Sequence, residues 1–275
     1  MNPHQSHPIS PASIARSVWK NRQLVFQMIR REVTGRYKGS MLGLLWSFLN
    51  PVLMLCVYTF VFSVVFQARW SDGSDSKTEF ALVLFSGLIV FNLFAECINR
   101  APGLILSNVN YVKKVVFPLE ILPVIALGSA LFHMLVSLGV WLIAYCILIG
   151  IPHLTLLLVP FILLPLLLLI LGLSWGLASL GVYLRDTSQI TGILTTVLMF
   201  LSPIFYPVSA LPEKFRAVLQ LNPLAPIIEQ TRNVLIQGTA PCMTSLLSSI
   251  LGSALFAWLG FVWFQKTRKG FADVL

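Results

Sequence analysis

From Ile121 to Leu184 the chain carries no Asp, Glu, Lys or Arg, and no water-soluble fold can hide a stretch of that kind. As one helix the run would be about 96 Å long at 1.5 Å per residue. The hydrocarbon of a bilayer is only about 30 Å thick, so the run must turn back on itself. Gly150-Ile151-Pro152-His153 supplies the break. The spans on either side, Leu119–Ile149 and Thr155–Tyr183, exceed the minimum crossing length and need tilt or protrusion.

The remaining spans follow from where charge is absent, because an unpaired charge in hydrocarbon costs several kcal/mol. Met41–Phe66, Phe80–Asn99, Ser188–Tyr206 and Cys242–Phe264 each fit. Hydrophobic residues make up 57% of the 275 residues and charged residues only 11%, against roughly 25% charged in an average soluble chain. The expected fold is an all-α polytopic membrane protein with six transmembrane helices. The net charge of +9 points to a cytoplasmic membrane face and not to nucleic acid. With the N-terminus inside, 14 Lys and Arg fall on inner segments and 5 on outer ones, which puts both termini in the cytoplasm. No cleavable signal peptide is visible.

Two other segments complete the expected architecture. Ser13–Tyr37 places Ile14, Val18, Val25, Ile29 and Val33 at helical spacing, with Lys20, Gln23, Gln27, Arg30 and Arg31 mostly on other faces. That is a basic amphipathic helix suited to lying in the inner interface against anionic headgroups, or a simple topology anchor. Leu211–Gly238, split by Asn222-Pro223, reads as two short re-entrant helices on the outer side, between spans five and six. The domains are then 1–38 (tail and interfacial helix), 39–265 (the six-span domain) and 266–275 (a cytoplasmic tail).

The chemical motifs are few. Gly172-Leu173-Ser174-Trp175-Gly176 matches a nucleophile elbow, but such a Ser needs a strand-to-helix turn. Inside an apolar helix the same residues make G-x-x-x-G, which lets helices approach closely in lipid. Gly39 and Gly43 repeat that spacing. Cys56, Cys97, Cys146 and Cys242 form no C-x-x-C pair and read as small buried hydrophobes. His133 and His153 stand alone and read as helix-packing glue. No Walker A loop occurs, and Glu96, Glu120 and Asp186 sit near span ends. Secondary transport and carboxylate- or metal-dependent catalysis both lack their usual mid-membrane groups. A passive channel lacks a selectivity filter. A membrane enzyme acting on lipid-linked sugars would have only these scattered acids and histidines. Trp46, Tyr58, Phe62, Phe66, Trp70, Phe205 and Tyr206 offer ring faces that suit a sugar polymer, or else ordinary interfacial belts.

The runs Trp19-Lys20-Asn21-Arg22 and Arg36-Tyr37-Lys38-Gly39-Ser40-Met41-Leu42-Gly43-Leu44-Leu45-Trp46, with Pro51 following, resemble the opening of ABC-2-type permeases that export polysaccharides. So do Asn108-Val109-Asn110-Tyr111-Val112-Lys113-Lys114-Val115-Val116-Phe117-Pro118, Tyr183-Leu184-Arg185-Asp186, Ser202-Pro203-Ile204-Phe205-Tyr206-Pro207 and Asn222-Pro223-Leu224. The likeness is strongest to the membrane subunit of O-antigen exporters, with teichoic-acid and capsule exporters close by.

The resemblance implies a homodimer in the bacterial inner membrane, bound to two copies of a cytoplasmic nucleotide-binding subunit. It implies a lipid-linked glycan as substrate. No cofactor would be held in this chain, because the partner ATPase binds ATP and magnesium. Trp46, Tyr58, Phe62, Phe66, Phe205 and Tyr206 are then expected in a conduit that the first and fifth spans line along the dimer interface. Arg30, Arg31, Arg36 and Lys38 are expected at the lipid-diphosphate entrance. Asn108, Tyr111, Lys113, Lys114, Arg185 and Asp186 are the expected ATPase-coupling residues.

Overall fold

A computed structural model describes residues 8–65, 77–113, 117–208, 212–214, 219 and 222–275. Among the described residues every regular element is helical. Helices α1 (Pro11–Lys20) and α2 (Arg22–Arg36) come first. The amphipathic segment is thus two helices meeting at Asn21, not one. α2 buries Val25 and Val33. It lies along a later helix, α7 (Leu122–Leu148), where Gly128 leaves room for the Ile29 side chain.

Gly39 and Gly43 both adopt positive φ, 89° and 51°, in open surroundings. They make the turn that leaves α2, a conformation glycine adopts at little cost, and do not form a helix-packing motif. α3 (Trp46–Tyr58) follows and runs on through a π-helical turn, Thr59–Val65. Then come α4 (Lys77–Arg100), α5 (Gly103–Leu106), α6 (Val109–Lys113) and α7. The chain breaks at Gly150, φ 129°, and continues as α8 (Val159–Tyr183) and α9 (Thr187–Leu201). Last are α10 (Leu224–Arg232), α11 (Met243–Thr267) and α12 (Phe271–Val274).

Among the described residues five stretches are long and apolar enough to cross a membrane: Gly43–Phe62, Glu79–Arg100, Leu119–Leu148, Leu154–Tyr183 and Met243–Val274. α9 has 15 residues, about 22 Å of helix, so it falls short of the length expected for a sixth. α10 packs against α4 and α8 with Leu224, Ile227 and Ile228 buried. Most of the segment before it, where the first of the two short helices is expected, lies outside the described residues; Glu213, Lys214 and Leu219 within it are helical.

The bundle is unevenly packed. α4 is its axis: 83% of its apolar window is buried, against 6% for the window in α3. Trp141 on α7 is fully buried and donates from Nε1 to the Leu82 carbonyl of α4 at 2.9 Å. α8 and α11 form the most extensive helix pair. A Cβ on Gly260 would stand 2.2 Å from the Gly172 carbonyl oxygen, so the two backbones touch directly, as small residues allow in lipid. Gly176, the other half of the G-x-x-x-G, faces open space. Ser174 is buried. All four cysteines are free and only Cys97 is buried; Cys56, Cys146 and Cys242 are exposed.

Candidate functional site

α1 and α12 lie at the end of the bundle where the chain passes from α4 to α7 by a loop: Ser17 of α1 reaches Glu120, and α12 touches α6. The loop starts hard against α8, where a Cβ on Gly181 would stand 2.1 Å from the Pro102 carbonyl oxygen. Within it Asn108 closes its own turn, donating from Nδ2 to the Leu104 carbonyl at 2.8 Å. The Tyr111 ring stacks on Phe117, with centroids 4.5 Å apart. Nothing is described for the Lys113 side chain, and Lys114 lies outside the described residues. Arg185 and Asp186 are exposed on the α8–α9 turn at this same end. They sit just beyond Tyr183, whose ring meets the fully buried Phe271 of α12. α12 also touches α6, so the C-terminal residues pack into the loop assembly and do not extend away from it.

The cations expected at one entrance divide between two faces of the N-terminal segment. Arg30, Arg31 and Lys38 are exposed. Arg36 turns inward, 2.7 Å from Glu96 of α4 and 2.9 Å from His133 Nδ1 of α7. Arg100 pairs with Glu32 of α2 and stands 3.6 Å from Glu96. Two arginines, two glutamates and His133 therefore fasten α2 to α4 and α7. His133 does act as interhelical glue.

The far end of the bundle gathers part of the aromatic set. Phe62 stacks on Phe80 at 5.9 Å and on Phe205 at 5.8 Å, and Phe205 continues to Phe200 at 5.9 Å. Tyr206 donates from its hydroxyl to the Phe200 carbonyl at 3.1 Å. Tyr58 shares the packed side of α3 with Leu55 and Phe62. Trp46 begins the same helix and lies 16 residues, about 24 Å of helix, from Phe62. The structure therefore joins Phe62 with Phe205 and leaves Trp46 at the other end. Phe66 falls outside the described residues. Buried Arg232 of α10 closes this end by donating to the Pro203 carbonyl at 3.0 Å. Burial lowers its guanidinium pKa to about 10, with the nearby Glu229 carboxylate opposing the shift; it stays charged at neutral pH.

Among the described residues no group of His, Cys, Asp or Glu is arranged to hold a metal ion. The ABC-2 type transporter family matches residues 23–236, most of the chain and every element from α2 through α10. The chain belongs to the ABC-2 transporter family. It is a multi-pass membrane protein. It is 27% identical over 262 residues to the O-antigen export system permease protein RfbA of Myxococcus xanthus, covering 94% of this chain and 98% of that one. The protein of the same name from Klebsiella pneumoniae is 27% identical over 254 residues, 92% and 95% of the two chains. The polysialic acid transport protein KpsM of Escherichia coli is 26% identical over 255 residues, 88% and 96%.

Three parts of this ABC-2 chain escape a reading by residue spacing. Arg232 is one, since a cation in the outer segment Leu211–Gly238 looks like surface. Phe80 and Phe200 are further members of the ring stack. The third is Glu120, which binds Arg268 at 2.7 Å. A signal for that pair does exist: Glu120 and Asp186 are the only carboxylates between Glu96 and Glu213. An acid opening a long apolar run needs a cationic partner close by.

Proposed function

We propose that this chain is the permease subunit of an exporter that carries a lipid-linked polysaccharide of O-antigen type from cytoplasm to periplasm. It would work in the bacterial inner membrane as a homodimer, with two copies of a cytoplasmic ATPase supplying the energy. The observation that carries this reading is the fastened loop 101–117, set at the end of the bundle where most Lys and Arg collect. The family match and the relatives of O-antigen export give it its chemistry. The similarity to KpsM favours a second, narrower alternative, a capsule-type polysaccharide.

In this reading α9 and the residues following it make the fifth of six crossings. Support comes from its ends: Thr187 follows the loop-side turn at Arg185-Asp186, while Phe205 stacks on Phe62 at the far end. α10 dips into the outer leaflet. Both termini are cytoplasmic, as the distribution of Lys and Arg requires. α1 and α2 lie in the inner interface, with Trp19 and Phe26 exposed to lipid and Arg30, Arg31 and Lys38 free to meet a diphosphate headgroup. The glycan follows past Trp46, Tyr58, Phe62, Phe205 and Tyr206, held by ring faces.

Nucleotide must bind two arrangements of the permease with different affinity to drive the cycle. Asn108, Tyr111, Lys113, Lys114, Arg185 and Asp186 form the docking surface through which that preference acts. ATP and magnesium stay with the partner. In proteoliposomes containing both subunits, replacing Lys113 and Lys114 by Glu should leave ATP hydrolysis without export, and the permease alone should hydrolyse nothing. ATP turnover by the purified permease, or undiminished export by the Lys-to-Glu variant, would remove this reading.

A further inference from the structure

We propose that the Glu120–Arg268 ion pair is the link that passes movement of the 101–117 loop into α11, making both residues positioning residues for export. The proposal rests on the reading above, in which a separate ATPase docks on that loop.

The geometry around Glu120 is that of a junction. Arg268, at the end of α11, donates from Nη1 to Glu120 Oε2 at 2.7 Å and from Nη2 to the Phe117 carbonyl at 3.1 Å. Ser17 of α1 donates to Glu120 Oε1 at 2.7 Å. Trp175 of α8 donates from Nε1 to the Glu120 backbone carbonyl at 3.0 Å. One turn therefore touches α1, α8 and α11 and opens directly into α7. Tyr111 rests on Phe117, so the loop's own aromatic lies one contact from the Arg268 grip. The loop's start already abuts α8 at Gly181. Its end reaches α11 through the Arg268 grip, the polar contact between them among the described residues, and through apolar packing of Phe117, Leu119 and Ile121 in one buried cluster with Ala257, Phe261 and Phe264.

Both side chains of the pair are nearly buried, at 14% and 13% exposure. A buried ion pair contributes little net stability relative to apolar residues of similar volume, yet it is demanding in geometry. Such a pair suits a linkage that must hold one alignment. The contrast makes a test possible, because removing both charges together should spare the fold while loosening the connection.

The parent permease, Glu120→Gln, Arg268→Met and the double variant Glu120→Leu/Arg268→Met would each be co-purified with the partner ATPase and placed in proteoliposomes. ATP hydrolysis and export of a radiolabelled polyprenyl-diphosphate-linked polysaccharide would be measured on the same vesicles. The double variant should keep the parent's melting temperature and ATP turnover while exporting about tenfold less glycan per ATP, within the usual range of coupling energies. The charge swap Glu120→Arg/Arg268→Glu should recover part of that loss. An export-to-ATP ratio equal to the parent's in the double variant would overturn the proposal, as would export and stability falling together with the ratio unchanged. Should the double variant not fold, Arg268→Lys, which keeps the charge but has one donor group in place of the guanidinium fork, is held to the same ratio. A parent complex that neither exports nor hydrolyses ATP would overturn the proposed function and, with it, the link that rests on it.

Discussion

α8 and α11 are welded through bare backbone at Gly172 and Gly260, whereas α3 and α9 touch the bundle lightly. α9 meets it mainly through one stripe, the buried Thr187, Thr191 and Thr195. Thr195 donates to the Asn99 side-chain oxygen of α4 at 3.0 Å. Its other faces expose Ile190, Ile193, Leu194, Val197 and Phe200. α3 and the π-helical turn after it likewise expose Leu53, Met54, Val57 and Phe60. In lipid, apolar side chains gain nothing by burial against one another, so exposure alone is no defect. What differs is close contact, and close contact decides which helices move as one body. α4, α7, α8 and α11 form that body, while α3 and α9 contact it more sparsely.

Several substitutions would break or sharpen this contrast, taken from the largest effect downward. Gly260→Leu should cost about 3 kcal/mol or more, since the added atoms have only the α8 backbone to displace. Little folded protein should then survive size-exclusion chromatography in detergent. Arg232→Met should cost about 2 kcal/mol by leaving the Pro203 carbonyl without its charged donor, read as a lower thermal midpoint. Glu96→Ala should cost only about 1 kcal/mol, because Arg36 and Arg100 remain partly open to solvent. Its clearer sign would be faster proteolysis within α2, and unchanged cleavage there would contradict the fastening role.

A double-mutant cycle between Phe62→Ala and Phe205→Ala should give about 1 kcal/mol of coupling for the stacked rings. The same cycle between Trp46 and Phe205 should give none. Smallest of all, Gly192→Ala on α9, where nothing lies within 4 Å of the new methyl, should stay within about 0.5 kcal/mol of the parent. If Gly192→Leu proved as damaging as Gly260→Leu in the monomeric state, the distinction between welded and loose helices would fail.

Much of the fold can be read from charge alone. The break at Gly150-Ile151-Pro152-His153, the reach of α4 and the amphipathic character of Ser13–Tyr37 all follow from where ionisable groups are missing or periodic. The aromatic set was legible as a list but not as a site. Trp46 and Phe62 occupy one helix at opposite ends, and only the meeting of Phe62 with Phe205 and Phe80 selects which rings act together. The cations were legible as a cluster along the chain. Arg36, however, lies on the packed face of α2 beside Glu32, and its partner Glu96 belongs to a helix that begins 41 residues later. Gly39 and Gly43 show the opposite failure, since their spacing imitates a packing motif while their backbone makes a turn.

Hydrophobic length and the absence of charge determined by themselves that this chain lives in a bilayer, because the penalty for charge in hydrocarbon depends on no partner. Its order of motifs, in turn, marked the family. Tertiary structure alone decided which glycine lets two helices touch, which arginine is held and which is free, and that Glu120 ties four helices to the loop. Those outcomes depend on what stands opposite each residue in space, and residues far apart in sequence supply it.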